Sequence, residues 1–291
     1  MTTAALGASA GPWVWTPHPD VWLLVIALGA AYAAAVRLVG PRVLPYGEKP
    51  ATRRQQVTFF AGLALLWAGA DWPVHELSED FLLSAHMVQH LLFTLVAPPL
   101  MLLGMPVWLL RGLLSPRVVF AVVAFLTRPL VALVTFNGVI AVTHWPLVVD
   151  ASLRSEPVHF GVHLLLFTTA TMMWWPVVAP LPETPSLSEP AKMLYVFLQS
   201  IVPTVPASFL TFADSPIYKE YARMPRIWEW MDVVTDQRIA GLIMKIVGGL
   251  LLWGVIAVIF FRWSAREEAR DRGEVTWDDF ERELEAFDLR R

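Results

Sequence analysis

Apolar residues along the chain fall in long runs rather than in strict alternation. Seven of these runs reach roughly 20 residues, the length at which an α-helix crosses a bilayer. They predict helices over about 21–39, 55–72, 81–103, 129–145, 158–178, 191–212 and 238–261. Between the third and fourth lies "MPVWLLRGLLSPRVVFAVVAFLTRP". Arg111, Pro116 and Arg128 interrupt it, so it reads as an interfacial or re-entrant segment. The predicted fold is all-α, a bundle of seven membrane helices over residues 1–263 with a polar tail over 264–291. In that tail "TWDDFERELEAF" places Trp277, Phe280, Leu284 and Phe287 at helical spacing. It reads as a short amphipathic helix lying on the membrane surface.

Composition supports the membrane reading. The chain is 56% hydrophobic and 16% charged, against about 45–50% and about 25% for soluble domains. There is no cysteine, which excludes disulfides, thiolate metal sites and iron–sulfur clusters. No Lys or Arg precedes the first apolar run. That run therefore lacks the basic leader of a signal peptide and reads as a retained helix. Nothing in the chain resembles a phosphate-binding loop, an internal repeat or a nucleic-acid-binding motif.

Charge in the short loops sets the orientation. The first loop carries Arg37, Arg42, Lys49, Arg53 and Arg54, the third Arg111, Arg117 and Arg128, and the C-terminal tail opens with Arg262, Arg266, Arg270 and Arg272. The N-terminal stretch and the second loop, "PVHELSED", carry none. These place the N-terminus outside and the C-terminus inside. The sixth loop runs against this, with Lys219, Arg223, Arg226 and Arg238, but it is longer and also acidic.

With this orientation all seven histidines fall on the outer side: His18, His75, His86, His90, His144, His159 and His163. Two pairs, His86/His90 in "HMVQH" and His159/His163 in "HFGVH", are four residues apart and so share a helix face. With His144 they predict five imidazoles at similar depth on three helices. A single intramembrane histidine ordinarily bonds a neighbouring helix, but ionisable clusters within spans mark functional sites. Imidazole suits copper and zinc, and thioether sulfur favours Cu(I). Met87 and Met244 are the candidate thioethers. Asp71 is placed to orient a ligand imidazole, with His75 near it. "HMVQH" departs from the zinc-protease pattern H-E-x-x-H, because Met87 stands where the general-base Glu would be. A haem would need one axial histidine from each of two helices. Asp71 and Asp236 are the carboxylates available to a zinc-dependent hydrolase.

Three further features are polar or strained. Lys245 lies in the seventh run about 10 residues from its outer end, roughly 15 Å by helix rise, and should face a cavity or a carboxylate. Asn137 reads as interhelical glue. Pro98 and Pro99 should kink or break the third helix below its histidines.

Four blocks, "HMVQHLLFTLVAPPLMLLGMP", "THWPLVVDASL", "HLLLFTTATMMWWPVV" and "DQRIAGLIMKIVGG", together resemble the multi-span CtaG family of bacterial cytochrome c oxidase assembly factors. The resemblance runs from about the second predicted helix to the end of the seventh. It implies a non-enzymatic role in maturing a haem–copper oxidase in the bacterial inner membrane. It implies copper, as Cu(I), as what is handled, with an oxidase subunit and a copper donor as partners in the surrounding lipid. Carried onto this chain, the family pattern covers His86, Met87, His90, His144, His163, Asp236, Gln237 and Met244. Lys245 departs from it, standing where many members have an aromatic. A zinc hydrolase, a b-type haem protein and a copper transporter are the rival readings, and metal binding should weaken as imidazoles protonate near pH 6.5.

Overall fold

The structure is a computed structural model that describes residues 11–271, and those residues are helical with no strand. The amphipathic helix expected around Trp277–Phe287 lies outside them. Five helices are long and apolar enough to cross a membrane: α1 (Pro19–Val43), α4 (Leu83–Gly104), α9 (Glu156–Val178), α10 (Glu189–Phe212) and α12 (Val233–Glu268). Three bent pairs bring the candidate spans to as many as eight. These are α2 (Arg53–Ala70) with α3 (Val74–Phe81), bent by 51°; α5 (Val107–Leu113) with α6 (Arg117–Leu126), by 113°; and α7 (Pro129–Thr143) with α8 (Pro146–Leu153), by 69°. A short helix, α11 (Lys219–Arg223), lies between α10 and α12.

The boundaries differ from the hydropathy pattern where local chemistry overrides it. "PVHELSED" is a helix, α3, and not an open loop, because α2 resumes after a turn at Asp71–Pro73. α12 begins at Val233, ahead of the apolar run, because Asp232 caps it by accepting from the Thr235 amide at 2.6 Å. α2 opens with a Thr52–Gln55 capping box.

α4 is continuous through Pro98 and Pro99, where the sequence predicted a kink or break. A π-turn over Leu92–Val96 absorbs them. Pro98 has no N–H to give the carbonyl one turn back, that of Thr94. The indole Nε1 of Trp174 on α9 donates to this carbonyl instead, at 2.9 Å. A proline defect in one helix thereby becomes a tie to the next.

Other buried polar side chains join helices in the same way. Gln89, fully buried, donates to the Gly69 carbonyl of α2 at 2.8 Å and accepts from Ser78 of α3. Asn137 of α7 donates to Gln199 Oε1 of α10 at 2.6 Å, the interhelical role its position suggested. Gly62 lets α2 and α4 approach closely: a Cβ there would lie 2.8 Å from Met101 Cγ and 2.9 Å from the Ala97 carbonyl.

The start of α4 is held from α12. Asp236, 1% exposed, accepts from the amides of Leu83 at 2.8 Å and Ser84 at 3.1 Å. No side chain of α4's own N-terminus caps it. Asp236 does so across 150-odd residues of chain, with Arg226 at 3.9 Å from its carboxylate.

Two predictions follow from these ties. Asp236→Ala removes both acceptors and should destabilise the purified protein in detergent by on the order of 2–3 kcal/mol, with Asp236→Asn costing less. Unchanged thermal unfolding of Asp236→Ala would show that the cap contributes nothing. Trp174→Phe should cost about 1–3 kcal/mol by leaving the Thr94 carbonyl unpaired. Trp175→Phe should cost less, because its partner Thr184 Oγ1 keeps its bond to Leu181.

Candidate metal centre

The five intramembrane histidines converge. His86 and His90 follow the α4 cap by one turn and two, so Asp236 sets their position. His159 and His163 face them from α9, and His144 follows the last residue of α7. Ring centroids lie 4.2 Å apart for His86–His90, 4.3 Å for His159–His163, 5.6 Å for His86–His159, 5.7 Å for His86–His163, 5.2 Å for His90–His163 and 5.5 Å for His90–His144. The imidazoles form one continuous group across three helices.

Within it, His86, His159 and His163 bring one ring nitrogen each to within 4.8 Å of the others. Three nitrogens around one ion at about 2.0 Å sit roughly 3.3–3.6 Å apart, so small rotamer shifts of about 1 Å close the triad. The Nε2 atoms of His159 and His163 are already 3.1 Å apart. The hydrogen-bond inventory points the same way. His86 Nδ1, His159 Nδ1 and both ring nitrogens of His90 are buried without a hydrogen-bond partner. Buried polar atoms are ordinarily paired, and several unpaired imidazole nitrogens within one cluster fit a cation. Two pairings exist within the group: His159 Nε2 with His163 Nε2, and His144 Nδ1 with the Ile140 carbonyl at 2.8 Å.

Below the triad a cavity is lined by His90, His144, Met87, Met173 and Met244, with Gln199 and Lys245 among its other walls. Met87 and Met244, the thioethers singled out from the sequence, both line this cavity. Met244 sits on a second π-turn, Ile243–Val247. Lys245 is on the cavity wall but exposed, with Nζ 5.9 Å from the centre of the Phe212 ring. Among the described residues no carboxylate ion pair involves it.

The acidic candidates are used differently from expectation. Asp71 bonds the Trp22 indole at 2.7 Å and the Trp72 amide at 2.9 Å, tying α1 to the α2 end and not orienting a ligand imidazole. Asp236 caps α4. Gln237 accepts from the Ile217 amide and donates to the Leu210 carbonyl, fixing the chain after α10. The carboxylate at the cluster is Glu79, which sequence reasoning missed. Its Oε1 lies 3.1 Å from His159 Nε2 and 3.1 Å from His75 Nδ1, so His75 reaches the cluster through it. The signal was present in "HELSE", where Glu79 stands four residues after His75. Met173 was also missed, and nothing in its spacing distinguishes it from a packing methionine.

Above the cluster, His18 precedes α1 and pairs with Glu76, Nε2 to Oε1 at 2.7 Å. The hydrogen bond to this carboxylate, opposed by partial burial, holds the His18 imidazole above its ordinary pKa of 6.5.

Neither a curated protein nor a solved structure matches the chain. A family model does, over residues 30–266, from within α1 to near the end of α12, and the span includes every member of the five-histidine group. With most of its length covered, the chain belongs to the cytochrome c oxidase caa3 assembly factor family, Caa3_CtaG.

Proposed function

We propose that the protein serves oxidase assembly by binding Cu(I) in the histidine cluster and delivering it to a haem–copper oxidase subunit, after receiving it from a copper donor. The observation that carries this reading is the group of buried, unpaired imidazole nitrogens beside thioether side chains. Imidazole and thioether together favour Cu(I) over zinc, calcium or magnesium. His86, His159 and His163 would hold the ion, with His90, His144, Met87 and Met244 adjoining. Glu79 would orient the His159 ring, as carboxylates do for metal-bound imidazoles.

The reading includes seven spans, with α5 and α6 lying at the inner surface, the N-terminus outside and the C-terminus inside. The cluster then opens outward, in the inner membrane of a bacterium. The chemistry is ligand exchange without a covalent intermediate, so the protein acts as a carrier and not as an enzyme. Two rivals fit the geometry less well. Imidazole rings in contact at 4.2–5.7 Å leave no slot for a haem macrocycle. For a zinc hydrolase, Asp71 and Asp236 are engaged with N–H groups elsewhere, and Glu79, the carboxylate at the cluster, lies against His159 and His75.

Deleting the protein should lower both the copper content and the activity of the terminal oxidase. Complementation with wild type should restore them. His86→Ala/His90→Ala, accumulating normally in the membrane, should restore neither. A fully copper-loaded oxidase in the double mutant would overturn the role of the cluster. An intact oxidase in the deletion strain would overturn the assembly role of this chain.

A further inference from the structure

A second group of ligand-type side chains stands between the surface and the buried triad. His18 and His75 pack edge to face, with ring centroids 4.5 Å apart. His18 Nε2 is 2.7 Å from Glu76 Oε1, and Glu79 Oε1 touches both His75 and His159 at 3.1 Å. His159 continues to His163 at 3.1 Å. We propose that His18, His75, Glu76 and Glu79 form a loading station that takes Cu(I) at the surface of the bundle and passes it through His159 to the buried triad. This rests on the copper reading above and adds to it a route and a direction.

Three observations support the station. The first is graded exposure. The side chains of His75, Glu79 and His18 are 28%, 22% and 19% exposed, and those of Glu76 and His159 are 8% exposed. Exposure falls from His75, Glu79 and His18 to Glu76 and His159, which are as buried as His86. The second is unused ligand capacity. Glu76 Oε2 and His159 Nδ1 are buried with no hydrogen-bond partner. A purely structural ion pair between Glu76 and His18 explains only the other carboxylate oxygen. The third is a gradient of softness. Carboxylate oxygens hold Cu(I) less well than imidazoles, and imidazoles beside thioethers suit it better still. A soft ion therefore moves from the mixed station toward the cluster floored by Met87, Met173 and Met244, and not the reverse.

Each transfer is an exchange of ligands on one ion. A new Cu–N or Cu–O bond forms as an older one breaks, and copper enters and leaves as Cu(I). No electron is moved, and each displaced ligand is left as a neutral imidazole or a carboxylate, His18 and Glu76 regaining their mutual hydrogen bond. His18 precedes the residues matched by the family model, so one ligand of the station belongs to this chain's N-terminal segment.

The test measures uptake by the purified full-length protein in detergent under anaerobic conditions. Cu(I) is supplied as its bicinchoninate complex, and loss of that chromophore is followed in time. His18→Ala/His75→Ala should reach the same final copper content as wild type, with loading slowed by about tenfold or more. Glu79→Gln should slow it in the same sense. Wild-type loading speed in these variants overturns the station while leaving the copper reading intact. Loss of final copper content together with a lowered unfolding temperature also overturns it, because the side chains would then be structural. Wild-type protein that takes up no copper overturns the copper reading itself.

Discussion

The structure depends on one buried carboxylate. Asp236 on α12 holds the first two amides of α4, and α4 has no cap of its own. In an apolar surrounding an amide without an acceptor costs more than it does in water. The register of α4 against α12 is therefore fixed at its first turn. His86 and His90 lie one and two turns further along, so their depth and facing are inherited from that contact. Met244, two turns beyond Asp236 on α12, comes to the same cavity as Met87 by the same rule.

Backbone satisfaction governs the rest of the bundle. Helices that carry proline lose donors, and a helix in lipid has no water to replace them. Here neighbouring side chains do so. Trp174 serves the Thr94 carbonyl that Pro98 cannot, and Tyr195 donates to the Met173 carbonyl near Pro176. Tyr32 donates to the Gly104 carbonyl and Trp108 to that of Pro50, at ends where helices stop. Against this background of careful pairing, the unpaired nitrogens of His86, His90 and His159 stand out. A fold that pairs proline-exposed carbonyls leaves four imidazole nitrogens of these three side chains without a partner.

Much of this was legible in the sequence. Runs of about 20 apolar residues announced the helices, because helix rise and bilayer thickness fix that length. The two i, i+4 histidine pairs announced shared faces, and shared faces on packed helices produced the cluster. The bends were less legible: the breaks between α2 and α3, α5 and α6, and α7 and α8 turn the chain by 51°, 113° and 69°, which hydropathy does not encode. The partners of Asp71 and Asp236 were also hidden. A carboxylate's use depends on which N–H groups tertiary packing brings to it, and Leu83 lies far from Asp236 in sequence. Continuity of α4 through Pro98 was hidden for the same reason, since its compensation comes from Trp174 on another helix.

The central proposal is that the imidazole cluster, and not a sulfur site or a haem, is where copper would sit. X-ray absorption at the copper edge of the Cu(I)-loaded protein tests it most directly. The account predicts a first shell dominated by imidazole nitrogen at about 2.0 Å, with the characteristic outer-shell scattering of histidine rings, lost in His86→Ala/His159→Ala. A shell made of sulfur alone, or an unchanged spectrum in that variant, would contradict it.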